Sequence, residues 1–145
     1  NYDIKQLPLP EMQALAEKSF PVLPAPILAN GGLLHGYAAV TIAKERYGIT
    51  DPALLGAVAH HTTGAEQMST LEKIIFLADY IEVNRDFDGV DDLRQAARRD
   101  LDEAVLLGYD STIRHLLDQG KPIFVGTVVN RNAQIDVVRA ADGKA

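Results

Sequence analysis

Apolar residues along this chain recur three and four positions apart, and no stretch sustains the strict alternation of a half-buried strand. The spacing predicts helices from end to end, and with them an all-α domain. A first helix is expected over residues 10–18, followed by a structured loop over 20–26, where Pro21, Pro24 and Pro26 bar regular helix. The next helix is expected over 33–47 and stops at Gly48. Asp51 followed by Pro52 then supplies an N-cap and first-turn pair for a helix ending near His61, which Thr62, Thr63 and Gly64 break. Ser69 with Glu72 three residues on forms a capping box for a helix running through Ile81, after which residues 84–89 turn the chain. A short helix is expected over 90–98, and Asp100 with Glu103 opens a longer one that Gly120 ends, with Pro122 just beyond. Residues 121–127 read as a return loop, the pattern is weak from Thr127 onward, and 140–145 read as a frayed end. With no internal repeat or low-complexity tract, residues 1–145 are taken as a single helical domain.

Helical residues three, four and seven apart share a face, so each titratable residue can be placed by its company. His35 goes with Ala38, Ala39 and Ile42, His61 with Leu54, Ala57 and Val58, and Asp79 with Ile75 and Phe76. These three are expected to point inward. His115 keeps company with Ser111, Thr112, Asp118 and Gln119 and is expected at the surface, while His60 is ambiguous beside His61. A carboxylate on an apolar stripe needs a cation, a metal or a set of donors as partner. Two readings follow: hydrogen-bonded core residues, or a site in which His and Asp converge from separate helices on a metal. Thr62, Thr63 and Gly64 either offer donors to an anion or simply stop the helix.

Composition narrows the chemistry. A chain of 145 residues that is 47% hydrophobic can bury a real core. Fourteen Lys and Arg against twenty Asp and Glu, a net charge of -6, leave no broad basic face for nucleic acid. With no Cys, any metal must be held by His nitrogen and carboxylate oxygen, a donor set that suits Fe, Mn, Zn or Mg. No apolar run approaches the roughly 20 residues that span a bilayer, so no membrane association and a cytoplasmic location are expected.

At His35-Gly36, at residues 60–64 (HHTTG) and at 69–82 (STLEKIIFLADYIE), the chain closely resembles the YqeK-type HD-domain phosphohydrolases, whose members hydrolyse diadenosine tetraphosphate symmetrically to two ADP. The resemblance continues through Arg85-Asp86-Phe87, Gly89-Val90 and Asp102-Glu103-Ala104 to Gly120-Lys121-Pro122-Ile123, and so covers most of the chain. The block 60–85 is specific to this branch, whereas spaced His and Asp alone would identify only the wider HD superfamily. The resemblance implies an HD-like helical bundle, a homodimer, a dinucleoside polyphosphate or ADP-like nucleotide as ligand, and a metal, foremost iron. It makes Asp79 the last metal ligand and gives His35 and His61 a second metal position or a hold on the phosphates, with Thr62 beside them. It makes Arg85 a phosphate contact, and Gly120, Lys121, Pro122, Ile123, Phe124 and Val125 the loop that touches the nucleotide. On the residues alone, Arg85 reads better as a surface partner of Asp86 or Asp88, and only the resemblance makes it a phosphate contact. Lys73 is expected off the inward face, Glu72 is read as a capping residue, and no independent role emerges for Tyr80 or Glu82.

The chain also departs from the family pattern. Members carry a ligand His on a first helix and then a His-Asp doublet, but this sequence has no His before His35. Either Asp3 is the doublet's Asp, and a further metal ligand, with Tyr2 in place of the His, or the doublet lies upstream of Asn1; a fragment is the expectation. Against the hydrolase stand a catalytically inactive nucleotide-binding HD domain and an HD phosphohydrolase acting on another nucleotide or an alarmone.

Overall fold

The computed structural model describes residues 2–143, and among them all regular structure is α-helical, in nine helices. The chain divides into two compact units, one ending at Thr63 and the other beginning at Gly64. The all-α expectation holds.

The first unit holds α1 (Tyr2–Lys5), α2 (Leu9–Ser19), α3 (Ala25–Leu28), α4 (Gly31–Tyr47) and α5 (Pro52–His60). α4 is its axis, packed against each of the other four. A central helix must be covered on most sides, and α4 buries Leu34, Tyr37, Ala38, Val40 and Ala43 around much of its circumference. Thr41, also buried on α4, is satisfied locally: its hydroxyl donates to the Leu15 carbonyl at 2.6 Å and lies 2.7 Å from Ser19 Oγ. Asn30 caps α4 by accepting from the Gly32 amide, and Asp51 caps α5 by accepting from the Ala53 amide. The expected loop over 20–26 ends early. Pro26 sits in the first turn of α3, where its missing N–H costs nothing.

The second unit holds α6 (Thr70–Ile81), α7 (Val90–Arg99), α8 (Leu101–Asp118) and α9 (Val125–Ala141), with α8 packed against the other three. Its core joins Phe76 and Leu77 of α6, Leu93 and Ala96 of α7, and Ala104, Val105 and Tyr109 of α8. Ser69 Oγ accepts from the Glu72 amide at 3.2 Å and Asp100 Oδ1 from the Asp102 and Glu103 amides, so both expected caps are present. Gly120, at φ 63°, ends α8 in a Schellman motif, with Lys121 N–H donating to the Leu116 carbonyl and Gly120 N–H to the Leu117 carbonyl.

α9 corrects the weak reading of the C-terminal stretch. Its inward positions are Thr127, Asn130, Arg131, Gln134 and Val138, at helical spacing but mostly polar, while Val125, Val128, Val129 and Val137 face outward. The inward polar groups find partners on α8. Arg131 Nε donates to Asp110 Oδ1 at 2.8 Å, and Gln134 Nε2 donates to the Asp102 carbonyl at 2.9 Å. A helix docked by hydrogen bonds shows no apolar stripe, which is why its period was illegible. The return loop accordingly ends at Phe124, and helix continues through Ala141 where fraying was expected; residues 144 and 145 of that expectation lie outside the described residues.

Candidate active site

In the first unit, His35 projects from the second turn of α4 and His61 caps the end of α5. The helices approach closely because Gly36 stands at their contact. A Cβ there would meet the Ala59 carbonyl oxygen at 2.8 Å, that of Val58 at 3.0 Å and His61 Cε1 at 3.2 Å. The approach brings the two imidazoles to a centroid distance of 4.8 Å, nearly edge to face, with Nε2 to Nε2 at 2.9 Å. Each Nδ1 lies against a backbone carbonyl, that of His35 at 3.3 Å from Gly31 O and that of His61 at 2.7 Å from Val58 O. Thr62 Oγ1 is 3.3 Å from His35 Nε2.

His35 is 3% exposed. Burial, then the His61 imidazole, then Lys5 hold its pKa below the ordinary histidine value, so the neutral ring is favoured. In the uncomplexed pair we assign the short bond to the Val58 carbonyl as His61 Nδ1–H, leaving His61 Nε2 to accept from Nε2–H of His35. If both rings carry their proton on Nδ1 instead, two lone pairs converge where a cation would sit. Carbonyl-anchored Nδ1–H groups are the usual support of metal-bound imidazoles.

Thr63 and His60, on either side of His61, both contact Tyr37 of α4. Thr63 is buried, its hydroxyl 3.2 Å from Tyr37 Oη, and the His60 ring stacks edgewise on Tyr37. His115, on α8, is exposed as expected, and Asp3 is exposed on α1.

In the second unit, the inward expectation for Asp79 is corrected: the residue is exposed. α6 faces its core along Lys73, Phe76, Leu77 and Tyr80. At about 100° per residue Asp79 falls on the flank of that stripe, with Ile75, itself 40% exposed. Lys73 is the second correction. Its side chain, only 16% exposed, runs along the stripe and pairs with Asp102 Oδ1 at 2.5 Å. Tyr80 and Glu82 gain structural roles: Tyr80 Oη lies 2.7 Å from Thr112 Oγ1 against α8, and Glu82 Oε1 accepts from the Asn84 amide at 2.8 Å. Arg85 is exposed, and its Nε donates to the Asp79 carbonyl at 2.9 Å, where an ion pair with Asp86 or Asp88 was the simpler expectation. Beyond α8, Lys121 and Pro122 are exposed, Ile123 and Phe124 are half-buried, and Val125, 73% exposed, opens α9.

Two residues escaped the sequence reading. Gly36 was visible only as part of a motif, because its role depends on which helix crosses it. Arg94 carries the signature of an ordinary surface pair with Asp91, three residues away, yet most of its hydrogen bonds go to backbone carbonyls.

No family model matches the chain. A solved structure, that of a predicted HD superfamily hydrolase involved in NAD metabolism from Clostridium acetobutylicum, is 42% identical, with a TM-score of 0.84 over 91% of this chain and 70% of that one. The chain belongs to the HD superfamily. It is also similar to proteins named symmetrical bis(5'-nucleosyl)-tetraphosphatase, 45% identical over 100 residues in Halalkalibacterium halodurans and 36% over 111 residues in Bacillus subtilis. These alignments take in 69% and 76% of the chain, which spans 54% and 60% of those two relatives.

HD hydrolases require a divalent metal. The His35–His61 pair has the right chemistry for two nitrogen donors, but among the described residues no group of three or more His, Asp or Glu side chains is placed to hold an ion. Among the described residues, the structure brings together two imidazole nitrogens and no carboxylate in a group of three with them.

Proposed function

We propose that this HD chain belongs to a hydrolase that cleaves diadenosine tetraphosphate symmetrically into two ADP. The observation that carries the proposal is the convergence of His35 and His61 at 2.9 Å. Two nitrogen donors bound at about 2.1 Å to one ion with a right angle between them lie about 3.0 Å apart. The pair supports a metal position in which His35 and His61 are ligands; Asp79 and Asp3 enter the reading as carboxylate ligands from the family resemblance alone. Iron is the metal proposed, with Mn, Mg or Zn as alternatives; a homodimer and a cytoplasmic location complete the reading.

The remaining residues bind and orient. Arg85 presents an exposed guanidinium, the donor geometry best matched to phosphate. Lys121 follows directly on the Schellman turn, so its point charge is carried on a fixed backbone. Together they suit a polyphosphate on which charge accumulates during hydrolysis. Gly120 to Val125 form the nucleotide-contacting loop in this reading, and Thr62 adds a hydroxyl beside the histidines.

Metal analysis and product analysis test the proposal together. Bound metal and two ADP per substrate, both lost in His61→Ala, are expected. Release of ATP plus AMP would refute the symmetrical reaction. Tight ADP binding with neither metal nor turnover would make the protein a nucleotide-binding domain instead, and preference for another nucleotide would reassign the substrate.

A further inference from the structure

The turn between α6 and α7 is held by a single guanidinium. Arg94, in the second turn of α7, donates from Nε to the Ile81 carbonyl at 3.2 Å and from Nη2 to the carbonyls of Glu82 at 2.8 Å and Arg85 at 2.9 Å. Its Nη1 pairs with Asp91 Oδ1 at 3.2 Å. Ile81 and Glu82 are the last residue and the C-cap of α6, where a helix leaves carbonyls without intrahelical partners. The turn closes on itself as well, with Arg85 N–H donating to the Glu82 carbonyl at 2.9 Å. Arg85 then folds back to the Asp79 carbonyl, so its backbone and one side-chain nitrogen are both anchored.

We propose that Arg94 is a positioning residue that fixes where Arg85 presents its charge to the phosphates of the nucleotide. The inference rests on the reading of Arg85 as a phosphate contact. One physical effect carries it. An exposed arginine on a loose turn loses much rotamer and backbone freedom when it grips an anion, and anchoring the turn beforehand removes part of that cost. The fork reaches the three carbonyls from two separate nitrogens, a spread that the single ammonium nitrogen of lysine does not reproduce.

The test uses the full chain with ADP as the probe, in the wild type, Arg94→Met, Arg94→Lys, Arg85→Met and the Arg85→Met/Arg94→Met double variant. Calorimetry reads ADP affinity, and hydrogen exchange reads the Asn84 and Arg85 amides. Arg94→Met is expected to weaken ADP binding about tenfold and to speed those amides, the loss expected for charge-assisted bonds. Arg94→Lys keeps the charge and the packing of α7, so it reports even if the methionine variant folds poorly; it should recover little affinity. The double variant should bind ADP no more weakly than Arg85→Met, within about twofold, because Arg94 acts through Arg85. Fully additive losses, or unchanged affinity in both Arg94 variants while Arg85→Met weakens binding, would overturn the proposal and leave the role of Arg85 intact. Unchanged affinity in Arg85→Met would instead overturn the phosphate role and the Arg94 proposal with it.

Discussion

The His35–His61 pair and the Arg85 turn are held in opposite ways. In the first, the imidazoles are themselves packed: His35 is buried, His61 Nδ1–H donates to the Val58 carbonyl, and the helices that carry the rings meet at Gly36. In the second, the Arg85 side chain is exposed, and what is fixed is the backbone beneath it. A site set by packing tolerates no added volume, whereas a site set by hydrogen bonds tolerates volume but fails when a donor is lost. Interiors resist expansion because neighbouring backbones have nowhere to move, while an exposed turn can shed a side chain into solvent.

The largest effect should come from filling the contact on which the first site depends. Gly36→Ala places a methyl against two backbone carbonyls, and we expect a loss of about 2–3 kcal/mol in urea unfolding, in the upper part of the range for overpacking. The same variant should drive the imidazoles apart and reduce bound metal. If it costs less than about 0.5 kcal/mol, α4 and α5 separate freely and packing does not set the pair. Gly108→Ala is the matched control in the second unit. Its Cβ would meet only side-chain atoms of α6, Phe76 Cε1 at 3.3 Å and Leu77 Cδ2 at 3.6 Å, which can shift.

Next in size is the removal of a donor from the second unit. Lys73→Met keeps most of the stem's packing but strips Asp102 of its cation, leaving it the Gln134 amide at 3.3 Å. Because both partners retain some solvent contact, we expect about 1–2 kcal/mol, less than for a fully buried pair. Lys73→Met/Asp102→Leu should recover part of it, since removing both partners avoids a stranded charge. No recovery would mean that Gln134 needs the Asp102 side chain to dock α9.

These cases also show how much was legible in the sequence. The caps at Ser69, Asp51 and Asp100 and the stop at Gly120 were readable because a cap is a local event, decided by a few neighbouring residues. His35 was placed inward correctly because α4 is covered on most sides, so many angular assignments lead into the core. Asp79 and Lys73 were misassigned for the complementary reason. On a helix buried along one stripe, a rotation of about 100° separates core from solvent, and Ile75 looked like a core residue while lying outside it. Gly36, Arg94 and the polar face of α9 depend on what another element presents, which neighbouring residues in sequence do not specify.

Alkaline pH offers a gentler probe of the second unit. Burial raises the pKa of Tyr80, and burial likewise raises that of Tyr109. A raised pKa means the folded state favours the protonated phenol. The associated stability is therefore complete below the unfolded value near 10 and declines as pH rises above it, where unfolded chains ionise first. Urea midpoints should fall beyond pH 10, with little phenolate absorbance from these two rings until unfolding. Tyr109→Phe should flatten that slope, and an unchanged slope would show that burial of this hydroxyl does not govern alkaline stability.

The smallest expected effect separates α7's two kinds of arginine. Arg99 reaches Glu103 at 3.4 Å, but its side chain is 66% exposed and no helix-end carbonyl is among its partners. Such an exposed pair is worth under about 0.5 kcal/mol, since water and salt screen it and two long side chains must be ordered to make it. Arg99→Ala should therefore leave urea midpoints, ADP affinity and the exchange of the Asn84 and Arg85 amides near wild-type values, while Arg94→Met changes the latter two. If Arg99→Ala weakens ADP binding as much as Arg94→Met does, the general positive charge of α7 attracts the nucleotide. The anchored carbonyls of the turn would then have no particular part in it, and the distinction between a site held by its backbone and one held by its packing would fail.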